Sequence, residues 1–255
     1  MKKISIITPA FNSAKFIEDA IQSVLDQKYS NFEHIIIDGG STDGTLEILK
    51  KYPHLVWVSE KDEGQSDAIN KGFAKATGDF FGWLNSDDVY EKGVFDKVLN
   101  ELSNEQYDAV YANYYFADEN LNITKEQKSH KPIKWLSLFH CYIPSTTFFF
   151  KRKIWDSGIH IDKDFHIVMD KDFFAHILYK DYKVKYLNEY FAKFRWHDDN
   201  KSLDSNEVKK IRYEEGLIIF KRYIPYFVLK KMISFSTYKY ILNFLRVYRR
   251  LLKSK

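Results

Sequence analysis

Over residues 1–100, short apolar runs alternate with stretches of helical period. Ile4-Ser5-Ile6-Ile7 is a compact apolar run ended by Pro9, which predicts a buried strand. Phe16, Ile17, Ala20, Ile21, Val24 and Leu25 then recur at helical spacing. His34 to Asp38 predicts a second strand, cut off by Gly39-Gly40, and Ser41 or Thr42 can cap the helix carrying Leu46 and Leu49. Val56-Trp57-Val58 predicts a third strand, and Asp67 to Lys75 a helix with Ile69, Gly72, Phe73 and Ala76 on one side. Phe80 to Leu84 predicts a fourth strand that runs straight into Asn85-Ser86-Asp87-Asp88.

Strands alternating with helices imply an α/β fold with a mainly parallel sheet covered on both faces. Ligands in such sheets bind beyond the carboxyl ends of the strands. Thr8 to Asn12, Asp38 to Asp43, and Asn85 to Asp88 stand where that rule puts a site. The middle is less regular. Ala109 to Phe116, Ser145 to Phe150 and Val184 to Trp196 read as extended, 118–131 as a polar loop, and Met169 to Tyr179 as a helix. From Asn206 the pattern is helical to the end, broken once at Pro225. This divides the chain into a body at 1–205, with halves at 1–115 and 116–205, and a helical extension at 206–255.

Composition narrows the class. The 255 residues include 45% hydrophobic and 17% aromatic side chains, enough for a sizeable core and for pockets where sugars or bases stack. One cysteine, Cys141, excludes an internal disulfide and a multi-cysteine zinc site. No run is long enough to span a membrane, and the basic-then-apolar start is too short for a signal peptide, so a cytoplasmic enzyme is expected. Residues 207–255 hold thirteen Lys or Arg against three Glu, a balance of +10 in a chain of +4, which leaves residues 1–206 at −6. An acidic body with a basic tail does not suit a nucleic-acid reader. It suits a globular enzyme whose tail meets anionic lipid or a partner.

Three constellations carry chemistry. Asp87 and Asp88 follow an apolar strand directly, and hard cations take such carboxylates together with substrate phosphate oxygens. A solvated turn capping the next helix accounts for the same four residues equally well. Asp38 ends an apolar strand ahead of a glycine-rich turn that fits neither dinucleotide nor phosphate-loop fingerprints. Asp67, Asn70 and Lys71 fall within one helical turn, where Lys71 could meet a phosphate and Asp67 a hydroxyl; an ordinary polar helix face serves as well.

Taken in order, Ser5 to Asn12, Ile36 to Thr45, Asp67 to Gly72 and Leu84 to Asp88 resemble glycosyltransferase family 2 over roughly residues 3–115. The resemblance continues more weakly to about residue 202, through Pro144 to Arg152, Met169 to Phe174, and Arg195-Trp196-His197 followed by Ser202. It implies a GT-A fold and an inverting enzyme that uses a nucleotide-sugar, commonly a UDP-sugar, with Mn²⁺ or Mg²⁺. The residues that match the family's motifs are then expected in these roles. Thr8, Pro9, Ala10 and Asn12 border the nucleotide, and Asp38 accepts a hydrogen bond from the base. Asp67, Lys71, Asn85 and Ser86 complete the donor site. Asp87 binds the metal with support from Asp88, and His197 is a late metal ligand. Asp170 is the catalytic base, with Asp172 the alternative, because Met169 stands where the family carries an acid. On a helix the two point apart, so only one can face the sugar.

The acceptor is expected to be a saccharide or lipid-linked saccharide, in bacterial-type polysaccharide or glycoconjugate synthesis. A basic amphipathic helix over residues 236–255 could lie on an anionic membrane surface or pack on its own domain. A nucleotidyltransferase is the nearest rival reaction, but it needs a glycine-rich basic loop after the first strand, and Pro9 to Ser13 holds neither Gly nor Arg. A non-catalytic sugar-binding or scaffold protein would not need Asp87 and Asp170 together.

Overall fold

The computed structural model describes residues 1–198, 200 and 205–223. Strands β1 (Ile4–Ala10), β2 (Phe32–Asp38), β3 (Leu55–Ser59) and β4 (Phe80–Trp83) run parallel in the order β3-β2-β1-β4. Ile4 of β1 lies opposite Phe32 on one side and Phe80 on the other, so these strands are in step. Helices α1 (Ile17–Leu25), α2 (Thr45–Leu49) and α3 (Gln65–Lys75) make the crossovers. Every residue of β1 is buried, which explains its largely apolar sequence. Gly72 of α3 lets that helix lie against β1, because a Cβ there would stand 2.5 Å from Ile7 Cγ2. The polar clusters after β1, β2 and β4 therefore emerge along one sheet edge.

The second half adds β5 (Val89–Tyr90), α4 (Val94–Leu102), β6 (Ala109–Ala117), β7 (Ile123–Gln127), β8 (Phe149–Lys151), α5 (Arg152–Asp156), α6 (Met169–Tyr179), β9 (Val184–Arg195) and α7 (Asn206–Tyr223). The sheet continues β4-β8-β6-β9-β5, with β7 on β6. Pairing within β1–β4 is parallel, as the alternating pattern predicts, and β6 pairs β9 in parallel. The β4–β8, β6–β8, β5–β9 and β6–β7 pairs are antiparallel, so the whole sheet is mixed.

Three local expectations are corrected. The polar stretch 118–131 contains β7, an edge strand whose residues are mostly exposed, so no alternation marks it. Ser145–Thr147 is a 3₁₀ turn rather than strand, since Thr147 N–H returns to the Pro144 carbonyl at 3.1 Å and Thr147 Oγ1 donates to Ala112 O at 3.0 Å. Neither Ser41 nor Thr42 caps α2. Gly44, with φ of 98°, takes that position, a left-handed conformation that suits glycine.

Helix α7 begins where the helical extension was expected, and it packs into the body. Ile219 and Phe220 belong to the same buried cluster as Ile7, Phe73 and Phe150. Pro225 and residues 236–255, with the expected membrane-facing stripe, lie outside the described residues. No helix among the described residues is long and apolar enough to cross a membrane.

Helix α7 also holds the start of α6. The buried carboxylate of Glu215 accepts His166 N–H at 2.7 Å and the N–H groups of Ile167 and Val168 at 3.0 Å each. Those donors precede α6 and would otherwise lack partners. Glu215→Ala is expected to cost about 2–4 kcal/mol, because it leaves the buried Val168 amide and two part-buried ones without their acceptor. Urea unfolding checks this; an unchanged midpoint would show the amides find other partners.

Candidate active site

A cleft of about 600 Å³ opens along the carboxyl edge of β1, β2 and β4. Its volume is that of a small-molecule site. Pro9 and Ala10 line it from the end of β1, and Phe11 and Ser13 from the loop that follows; Gly39 lines it after β2, Lys61, Asp62 and Gly64 from the β3–α3 loop, and Gln65 and Ala68 from the first turn of α3. Trp83, Asn85, Ser86 and Asp87 line its centre, and His166, Ile167, Met169 and Asp170 come from the turn into α6.

Two loops form the first wall and are latched to each other. Asn12, with φ of 47°, donates its N–H to Ser41 Oγ at 2.7 Å and accepts Thr42 N–H on Oδ1 at 3.0 Å. Asp43 accepts Ala14 N–H at 2.9 Å, and Ser13 Oγ meets Ser86 Oγ at 2.9 Å. Asn12 thus shapes the wall without lining the cleft. Thr8 is fully buried, its hydroxyl 2.9 Å from His34 Nε2. Asp38 is fully buried too. It accepts Gly40 N–H at 3.0 Å, Ser41 N–H at 2.9 Å and Ser59 Oγ–H at 2.6 Å, as well as the Ser41 hydroxyl. Its carboxylate stands behind the turn that it folds. Gly39 carries the cleft face there, and a Cβ on it would stand 2.8 Å from Asp62 Oδ2 and 3.3 Å from Phe11 Cδ2.

Asp67 and Lys71 also face elsewhere. Lys71 Nζ lies 2.9 Å from Glu60 and 3.2 Å from Asp67, and Lys163 Nζ lies 3.5 Å from Asp67. They form a partly exposed ion-pair cluster beside the cleft. Gln65, one turn earlier on α3, reaches in and donates to Asn85 Oδ1 at 3.1 Å.

The Asn85–Asp88 turn is fixed from below. Asn85 Oδ1 also accepts Trp83 Nε1–H at 2.8 Å, and its Nδ2 donates to Asp88 Oδ2 at 3.0 Å. Asp88 is fully buried and accepts Arg195 N–H at 3.0 Å. Burial, and then the neighbouring Asp87 charge, push its carboxyl well above the usual carboxylate range. Buried Arg195 crosses beneath the turn, donating to Asp87 O at 2.8 Å and Asp19 Oδ2 at 2.7 Å, and to Glu119 O, while stacking on Phe16. Only Asp87 is left turned outward. Its Oδ2 lies 3.1 Å from His197 Nε2 and 3.4 Å from Asn200 Nδ2. Phe16 supports the His197 ring, with centroids 4.8 Å apart.

On the opposite wall, Asp170 occupies the first turn of α6 and lines the cleft. It accepts Lys171 N–H at 2.7 Å and the Cys141 thiol at 3.2 Å. Burial raises its pKa above the ordinary aspartate value, although both hydrogen bonds favour the ionised form. Asp172 faces away, held by Arg222 Nη1 at 2.9 Å and the Tyr223 hydroxyl at 3.3 Å, with burial pushing its pKa up to about 6. Met169, where an acid was expected, sits under α3 with Sδ 2.7 Å from Ser66 Oγ.

Of the residues singled out in the sequence, the structure gathers Pro9, Ala10, Asn85, Ser86, Asp87 and Asp170 around one cleft and sets His197 against Asp87. The side chains of Thr8, Asn12, Asp38, Asp67, Lys71 and Asp88 do not line it. Asn200, Gln65, Phe11 and Cys141 were missed as site residues. Phe11, a large aromatic inside the first motif, and Gln65, in the run Glu63 to Gly72, carried a sequence signal; Asn200 and Cys141 carried none as site residues.

A family model described as Glycosyl transferase family 2 matches residues 5–178. The chain belongs to that family. Among its relatives, a putative teichuronic acid biosynthesis glycosyltransferase of Bacillus subtilis is 40% identical over 102 residues, 38% of this chain and 40% of the relative. An uncharacterized glycosyltransferase of Haemophilus influenzae is 34% identical over 143 residues, 54% of this chain and 57% of the relative. The matched stretch thus spans about half the length of these two family members. Among solved structures, S. aureus TarS 1–349 in complex with UDP-GlcNAc superposes with a TM-score of 0.68 at 18% identity, covering 95% of this chain and 71% of that one. A mannosyltransferase from Pyrobaculum calidifontis, in complex with GDP-Man and Mn²⁺, gives 0.65 at 16% identity over 87% and 64%. At these identities the likeness establishes a shared α/β GT-A fold.

Proposed function

We propose that this chain transfers a sugar from a nucleotide-diphosphate sugar, a UDP-sugar, to an acceptor hydroxyl with inversion. The observation that carries the reading is one cleft lined by both Asp87 and Asp170. A nucleotidyltransferase would need a glycine-rich basic loop after β1, where Pro9 to Ser13 holds neither Gly nor Arg, and a scaffold needs neither carboxylate.

The nucleotide occupies the end lined by Pro9, Ala10, Phe11, Gly39, Lys61 and Asp62. Phe11, 64% exposed, offers a ring face to the base. Thr8, Asn12 and Asp38 act by holding that wall in shape. Asn85 and Ser86 hydrogen-bond the ribose and phosphate side of the donor. Asp170 accepts the acceptor hydroxyl's proton as that oxygen attacks the anomeric carbon, and the nucleoside diphosphate leaves from the opposite face.

The donor set suits a divalent cation such as Mn²⁺ or Mg²⁺. A carboxylate oxygen on Asp87, the ligand type that suits Mn²⁺ and Mg²⁺, lies 3.1 Å from the imidazole of His197, a common metal ligand. Two protein ligands are few, as expected where substrate phosphates complete the shell. When bound, the cation neutralises charge on the departing diphosphate. Asp88 has both oxygens engaged and serves by fixing the turn.

The name of the Bacillus relative, a putative teichuronic acid biosynthesis glycosyltransferase, supports a role in bacterial-type polysaccharide or glycoconjugate synthesis. A lipid-linked saccharide acceptor and membrane contact through residues 236–255 belong to the same reading.

Thermal unfolding with UDP, UDP-GlcNAc and GDP-mannose, each with and without Mn²⁺, tests it. A UDP-sugar with Mn²⁺ should raise the midpoint by several degrees at about 100 times Kd, more than either alone. No shift with any nucleotide would sink the proposal.

A further inference from the structure

Beyond the cleft, the sheet face that carries Phe194 continues as a ladder of aromatic rings. In the parallel β6–β9 register Phe116 stands opposite Phe194, and Tyr114 and Trp196 fall on the same face by the two-residue period of strands. The rings touch: Phe116 and Phe194 centroids are 5.7 Å apart, Phe116 and Trp196 6.0 Å, Tyr114 and Phe116 5.1 Å. Phe194 is itself a lining residue of the cleft. Next to it, Phe116 and Trp196 line a second hollow of about 370 Å³, together with Asp118, Thr124 and Lys125. Trp196 is 46% exposed there.

We propose that this hollow is a saccharide subsite that holds a distal sugar of the acceptor glycan while the reacting sugar lies in the cleft. The proposal rests on the transferase reading and deepens it, naming an acceptor at least two sugar units long. Its chemistry matches a pyranose, which has a C–H face and a rim of hydroxyls. Trp196 and Phe116 offer flat apolar rings to the face. The rim finds an ionised carboxylate on Asp118, held below the usual aspartate range first by Asn122 side-chain and backbone hydrogen bonds. The Lys125 ammonium, 5.8 Å from the Phe116 ring centre, stands on the same rim, and Thr124, whose hydroxyl donates to Phe116 O at 3.2 Å, lines the hollow beside it. A purely apolar protein-docking face would lack those polar groups, and a lipid surface would not need a hollow. Continuity through Phe194 points to the acceptor, because the walls assigned to the donor come from β1, β2, β4 and α3.

Trp196 also closes the strand end, since its N–H donates to Ala117 O at 2.8 Å, but that bond belongs to the backbone and survives a side-chain change. The test is a glycan array of bacterial oligosaccharides probed with the labelled full chain, followed by titration of the best binder. Wild type should bind at least one oligosaccharide. Trp196→Ala should weaken it about tenfold, Trp196→Tyr should retain most of the affinity, and Lys125→Ala, at an exposed position, gives an independent loss. No saccharide bound by wild type, affinity untouched by Trp196→Ala and Lys125→Ala, or binding only to anionic vesicles would each overturn the proposal. The transferase reading fails separately, by absence of UDP or UDP-GlcNAc binding in the thermal assay.

Discussion

Asp170→Asn is expected to lower kcat by about 10²–10⁴-fold while nucleotide-sugar binding stays within a few-fold of wild type. The amide keeps the shape of the side chain at the start of α6 but cannot take a proton. The pH profile sharpens the test. Asp170 must be ionised to act as base, and burial raises its pKa, so kcat/KM should fall on the acid side at a pH above that of an ordinary aspartate. The Cys141 thiol donates to this carboxylate and favours the charged form. Cys141→Ala should therefore move the acid limb to higher pH still. Stopped assays across pH with wild type and both variants would check this. Near-normal turnover in Asp170→Asn would remove Asp170 from the chemistry, and Asp172→Asn would then be the next variant to measure.

Asp87→Ala should remove both metal response and turnover, with kcat/KM down about 10²–10³-fold and no recovery on adding Mn²⁺. Asp87 is the only carboxylate of its turn that faces outward, since Asp88 is buried against Arg195 and Asn85. Asp88→Asn should act differently, through the turn's geometry: it keeps an acceptor for Arg195 N–H but sets an amide against Asn85 Nδ2. Calorimetric titration of Mn²⁺ with UDP separates the two. Asp87→Ala loses the metal dependence of UDP binding, whereas Asp88→Asn weakens binding and retains the dependence. If Asp87→Ala bound UDP with undiminished dependence on Mn²⁺, the metal assignment would be wrong.

Much of this was legible along the chain. The buried strands β1, β2 and β4 carry clustered apolar residues because parallel strands are covered on both faces, and α6 begins and ends where its apolar spacing predicts. Strand β7 was invisible because an edge strand in solvent needs no apolar side chain. Which of Asp170 and Asp172 lines the cleft depends on a partner far away. Arg222 and Tyr223 of α7 take Asp172, and nothing near residue 172 announces them.

The local signals, which are apolar period, glycine turns and motif order, carry the α/β fold, the family and the sheet edge where the site lies. Those signals work because burial and backbone geometry act over a few residues. They do not say which oxygen of a polar cluster faces the ligand. Asp38, Asp67, Lys71 and Asp88 read as site residues in the sequence, yet each is engaged with protein partners, Asp88 by an arginine at position 195. A buried carboxylate must find its donors wherever the fold supplies them. Tertiary contacts therefore leave Asp87 and Asp170 as the carboxylates of the two acidic motifs that turn toward the cleft.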